Sequence, residues 1–131
     1  MSHVTDTLDT TVRHPGDRTA VVVVAGDIDL HTAPVLRARA LTVVEQGSPH
    51  VVLDLAQVDY VDSTGLSTLI VLLQAAQEAG GSLRVASVPD RLVRMVTLTG
   101  ISQMLPLHDT VADALAALGA AGADGSAGPS A

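Results

Sequence analysis

The chain has 131 residues, a formal net charge of −7 and no cysteine. A chain of this length is expected to fold as one domain around one core. All seven basic residues are arginine, which excludes a catalytic lysine, and the lack of cysteine excludes thiolate chemistry. With few basic residues and a single aromatic residue, we expect no nucleic-acid partner.

The first part of the chain predicts a hairpin of two strands. Residues 4–12 alternate between apolar and polar side chains, which is typical of a half-buried edge strand. A turn is predicted at His14–Asp17. Thr19–Ala25 contains four consecutive valines, which indicates a central strand buried on both faces. Gly26–Thr32 is predicted to be a loop.

The middle of the chain predicts a helix, a strand and a loop in that order. Thr32 is a plausible N-cap for a helix that extends to about Gln46. Val51–Leu55 is a short apolar strand, and the more polar Ala56–Val61 is predicted to be a loop.

The next long helix is predicted over Ser63–Ala79, and its spacing leaves Val71 and Leu72 off the core face. The strand Leu83–Ser87 follows, so the two strands around this helix should be parallel. The core face itself should consist of Leu66, Leu69, Ile70 and Leu73.

The last third predicts a helix over Arg91–Thr99, a short strand over Met104–His108 and a helix capped by Thr110. The fold class is therefore α/β, with a mixed four- to five-stranded sheet and about four helices in residues 1–118. Residues 119–131 consist mainly of Gly, Ala and Ser and are predicted to be a disordered tail.

The start of the chain lacks the pattern of a signal peptide, and its apolar stretches are too short to span a bilayer. We therefore expect a cytoplasmic protein without a membrane partner.

The five histidines do not have the spacing of metal ligands, and we expect most of them to face solvent and no metal or cofactor to be bound. They are His3, His14, His31, His50 and His108.

Asp27 and Asp29 directly follow the valine-rich strand. Phosphatases of the haloacid-dehalogenase type also place two aspartates after a strand, but they require threonine or valine two residues later, and a lysine. His31 occupies that later position here, and lysine is absent. The chain also offers no general base paired with a nucleophile. We therefore do not expect an enzyme.

Asp62-Ser63-Thr64-Gly65 lies where a loop meets the start of a helix. In the simpler interpretation Asp62 caps the helix and Gly65 permits close packing. In the second interpretation a phosphate on Ser63 would lie among the first N–H groups of the helix, at the positive end of its dipole. The residues alone leave both interpretations open.

The pairing of Gly26-Asp27-Ile28-Asp29 with Asp62-Ser63-Thr64-Gly65-Leu66 resembles the STAS domain of bacterial anti-sigma factor antagonists. The likeness extends over roughly Val4–Leu118 with the same order of elements. The sequence departs from the family pattern at two positions: Asp27 stands where glutamate is more frequent, and Ser67 stands where glycine is common. Both departures are mild.

This resemblance implies a phosphorylation switch. The unphosphorylated protein would bind an anti-sigma factor, itself a serine kinase of the histidine-kinase-like ATPase fold, and thereby release a sigma factor. The kinase would then phosphorylate Ser63 and the complex would dissociate, until a phosphatase resets it. Partner contacts would come from Asp27, Asp29, Asp62, Thr64, Gly65 and Leu66.

The resemblance also allows a different assembly. STAS domains occur as subunits of lipid-transport ATPases and in stressosome-type scaffolds. A serine at position 63, rather than a residue that cannot be phosphorylated, favours the switch over these alternatives.

Overall fold

The computed structural model describes residues 8–118, so the first half of the predicted edge strand and the predicted tail lie outside the described residues. Five strands form one mixed sheet in the order in which they occur along the chain. The first pair is antiparallel and the other three pairs are parallel, as predicted. The strands are β1 (Asp9–Gly16), β2 (Thr19–Ile28), β3 (His50–Val61), β4 (Ser82–Ala86) and β5 (Leu107–His108).

Four helices accompany the sheet in this part of the chain, which confirms the α/β class. They are α1 (Ala33–Glu45), α2 (Ser63–Glu78), α3 (Asp90–Thr99) and α4 (111–118), with a 3-10 turn at Ile101–Gln103. None of the helices in residues 8–118 is long and apolar enough to cross a membrane.

The sheet separates a large core from a small one. Side chains of β2 alternate across it, so Val22 and Val24 join the large cluster while Val21 joins the small one. Helices α1, α2 and α3 cover the large cluster, and α4 covers the small one through the buried Ala114. β2 is therefore buried on both faces, as its run of valines predicts.

Strands β2 and β3 are longer than the sequence pattern predicts. The predicted loop Gly26–Thr32 is wrong in part, because β2 runs through Ile28, and the predicted loop Ala56–Val61 is wrong throughout, because all of it belongs to β3. Backbone pairing does not depend on side-chain polarity, and two irregularities of register absorb the mismatch between the strands. The extension brings the ends of both strands to the start of α2.

Three smaller predictions also differ from the structure. β1 continues through Gly16, so the hairpin turn consists of Asp17 and Arg18. Leu72 is buried, because α2 packs against both the sheet and α1 and buries more than one stripe. The predicted strand Met104–His108 shrinks to two residues, because the N–H groups of Met104 and Leu105 bond back to the Ile101 carbonyl in the preceding turn.

Candidate functional site

Ser63 is exposed and is the first residue of α2. Asp62 precedes it in an extended conformation, and its carboxylate accepts a hydrogen bond from the Gly65 N–H at 2.9 Å. The predicted N-cap is thus confirmed. Among residues 8–118 the N–H groups of Ser63 and Thr64 have no acceptor, so they remain available at the positive end of the helix dipole.

Gly65 lies very close to the ends of β2 and β3. A Cβ at this position would lie 2.6 Å from the carbonyl oxygen of Ile28 and 2.9 Å from a methyl group of Val61. The same Ile28 carbonyl accepts a hydrogen bond from the Asp62 N–H at 3.1 Å. The ends of β2 and β3 therefore fix the position of the first turn of α2, and Gly65 is required because no side chain fits there.

The loop after β2 is held by its own side chains. The Asp29 carboxylate accepts hydrogen bonds from the N–H groups of His31 at 2.9 Å and Thr32 at 3.1 Å. The backbone N–H of Thr32 is the main cause that lowers the pKa of Asp29 below its ordinary value. The Thr32 hydroxyl donates to the Asp27 carbonyl at 2.6 Å, so it closes this loop and does not cap α1.

An exposed rim of acidic and apolar side chains lies beside Ser63. Asp27 is exposed and pairs in register with Tyr60, and Asp59 next to Tyr60 is also exposed. The Arg91 guanidinium lies 5.6 Å from the centre of the Tyr60 ring. Leu30 is 64% exposed, although it is a large apolar residue. The sequence analysis did not identify Tyr60, Arg91 or Leu30 as part of this surface, because the residue pattern does not show which side chains remain exposed after folding.

A depression between α1 and α2 adjoins this rim. It has a volume of about 400 Å³, and its lining includes Leu30, Arg37 and Thr64. Thr64 is half-buried, so one side of it faces this depression. The exposed surface around Ser63 thus combines carboxylates with the partly uncovered apolar side chains of Tyr60 and Leu30.

The structure separates the predicted partner contacts into two groups. Asp27 is exposed, and Asp29, Asp62 and Thr64 are half-buried. Gly65 and Leu66 are buried: Gly65 lets α2 lie close to the strand ends, and Leu66 belongs to the large core cluster, so both hold the helix in position.

The histidines and acids form no metal centre in the described part of the chain, where no three potential ligands cluster. His14 and His31 are exposed, whereas His50 and His108 are half-buried and hydrogen-bonded. His3 lies outside the described residues, and two of the other four histidines face solvent, so the prediction that most histidines face solvent is only partly right.

Comparison with known proteins shows which family has this fold and these two motifs. The model of the STAS domain family matches residues 10–114. This chain belongs to the STAS domain family. The anti-sigma-B factor antagonist of Bacillus subtilis is 35% identical to this STAS domain over 86 residues, which cover 66% of this chain and 78% of that protein.

Solved structures agree with this assignment. An anti-sigma factor antagonist from Mycobacterium paratuberculosis superposes with a TM-score of 0.76 at 34% identity, covering 86% of this chain and 95% of that one. A putative antagonist from Thermotoga maritima has a TM-score of 0.77 at 17% identity, over 83% and 93% of the two chains, and supports the fold alone. The resemblance drawn from the two sequence motifs is confirmed.

The close approach at Gly65 predicts that Gly65→Ala destabilises this STAS domain by about 1–3 kcal/mol, because the new methyl group must displace the Ile28 carbonyl or Val61. Chemical denaturation measures this change. Gly16→Ala is the matched control, since a Cβ there would meet no atom within 4 Å. Equal stability of the two variants would show that the first turn of α2 is not held against the strands as described.

The hydrogen bonds to Asp29 predict that its carboxyl group titrates below the ordinary pKa of 3.8. Because the folded-state pKa is depressed, the stabilisation is complete above the unfolded pKa and is lost as the pH falls through the folded one. An NMR titration of the side-chain carboxyl carbon measures the midpoint. A midpoint at or above 3.8 would contradict the hydrogen-bonded loop.

Proposed function

We propose that this protein is an anti-sigma factor antagonist whose binding to its partner is switched off by phosphorylation of Ser63. The observation that carries the proposal is the exposed Ser63 hydroxyl at the capped start of α2. Relatives named as anti-sigma factor antagonists, at 35% and 34% identity, support the same role. The role is one of binding and not of catalysis by this chain.

The start of α2 suits a phosphate for a physical reason. A phosphoryl group on Ser63 would lie near the N–H groups of Ser63 and Thr64, which have no acceptor in the described part of the chain. Phosphate oxygens are favoured at such helix starts by hydrogen bonding and by the dipole. The modification therefore requires no unfolding, because Asp62 and Gly65 already hold the turn in place.

The effect of the phosphate would fall on the partner. Phosphorylation adds a charge of about −1.5 to −2. Asp27, Asp59 and Asp62 already make this edge acidic, so acidic groups of a partner would be repelled further. A loss of about 3 kcal/mol of binding free energy would weaken the complex more than a hundredfold. A charge forced into a desolvated interface can cost that much.

The partner we propose is an anti-sigma factor of the histidine-kinase-like ATPase fold that acts as a serine kinase, in the cytoplasm. Its contact surface would include Ser63, Thr64 and Asp27, together with the exposed Tyr60 and Leu30. Tyrosine is common among the residues that dominate binding energy. Gly65 and Leu66 contribute by positioning this surface, and Asp29 by holding the loop beside it. A phosphatase would restore the binding form.

Ser63→Ala should bind an anti-sigma kinase from the same genome and remain bound after ATP is added, because it cannot be phosphorylated. Ser63→Asp should bind at least about tenfold more weakly than wild type, since it places one negative charge at the contact. Ser67→Ala is the matched control: this serine is exposed one turn further along α2, and its loss should leave phosphorylation and dissociation unchanged. Native mass spectrometry measures both the phosphorylation of each variant and the amount of its complex with the kinase.

Two outcomes would contradict the proposal. If Ser63→Ala still gained a phosphate on incubation with the kinase and ATP, the modified residue would be another one. If wild type, Ser63→Ala and Ser63→Asp bound equally and persistently, the protein would act as a permanent scaffold subunit and not as a switch.

A further inference from the structure

A second cavity lies at the amino-terminal edge of the parallel strands, at the opposite end of the sheet from the start of α2. Its volume is about 590 Å³. Thr19, His50 and Ser82 line it, and these are the first residues of three neighbouring strands that stand in register. Leu115 and Leu118 of α4 line another side. Volumes of this size are typical of small-molecule sites.

The polar lining of this cavity includes two arginines. Arg18 comes from the hairpin turn and Arg84 from β4, and among the described lining residues Asp17 is the one acid. Burial first, and then the charges of Arg18 and Arg84, lower the pKa of His50. The described lining therefore carries the two positive charges of Arg18 and Arg84 against the one negative charge of Asp17, in a chain whose net charge is −7.

Arg84 carries a hydrogen-bonding group that the described residues leave unsatisfied. Its Nη1 lies 3.2 Å from Nε2 of His108, whereas its Nε is buried and has no hydrogen-bond partner. A buried N–H without an acceptor costs free energy. Because this Nε is enclosed by protein, a ligand in the cavity would meet Arg84 elsewhere on its guanidinium group, whose geometry matches carboxylate and phosphate.

We propose that this cavity binds a small organic anion, with a carboxylate or phosphate group at Arg18 and Arg84 and an apolar body against Leu115 and Leu118. Two basic side chains and two leucines supply a charged end and an apolar end, so the ligand needs both features. The proposal does not depend on the role of Ser63, because the two sites lie at opposite edges of the sheet.

Phenyl phosphate and benzoate are suitable probes, because each joins an anionic group to an apolar ring. Titrated into the full-length protein, they should shift the amide NMR signals of Arg18, His50 and Ser82 and leave that of Thr64 unchanged. Inorganic phosphate, which lacks the ring, and benzyl alcohol, which lacks the charge, should bind at least about tenfold more weakly. The tighter of the two probes identifies the preferred anionic group.

Arg84→Gln and Arg18→Gln should each weaken probe binding by about tenfold, whereas Arg94→Gln, an exposed position on α3, should change it less than about twofold. Arg18 is exposed, so its variant decides the question if Arg84→Gln does not fold. The proposal is overturned if the cavity amides do not shift at about 10 mM probe. It is equally overturned if benzyl alcohol binds as tightly as benzoate, or if Arg18→Gln binds like wild type.

Discussion

The carbonyl oxygen of Ile28, at the end of β2, accepts a hydrogen bond from the Asp62 N–H and lies where a side chain on Gly65 would stand. This contact fixes where α2 begins relative to the sheet. Asp62 can then cap the helix through Gly65, and Ser63 is left outside on the first turn. A larger residue at position 65 would move the turn outward and, with it, the surface that we propose the partner recognises.

The two ends of the sheet have different chemistry, and the topology explains why. Parallel strands place all their carboxyl ends at one edge, so the acidic residues that follow β2 and β3 gather beside Ser63. The amino ends gather at the other edge, where Arg18 and Arg84 meet the half-buried His50. The partner surface that we propose at Ser63 and the ligand site that we propose in the cavity therefore share no residue.

Much of the fold could be predicted, because its signals are local in the sequence. The valine run predicts the buried strand β2, the spacing of apolar residues predicts the helices, and Asp62 predicts the start of α2. The sequence also placed Ser63 correctly at an exposed helix start. The strand ends could not be predicted, since the polar segments before Ile28 and Val61 pair through their backbones with register irregularities that leave no trace in the residue pattern. The basic cavity was missed for a similar reason: its residues are far apart in the chain, and only strand register brings them together.

We propose that the start of α2 accepts a phosphate on Ser63 while the rest of the domain stays unchanged. Comparison of amide NMR spectra of the unmodified protein and the protein phosphorylated on Ser63 tests this most directly. Large shifts are expected in the amide signals of the first turn of α2 and of the loop after β2, whereas the signals of the core strands should not move. Shifts spread through the core of β2, β3 and β4, or a fall in overall stability, would contradict it.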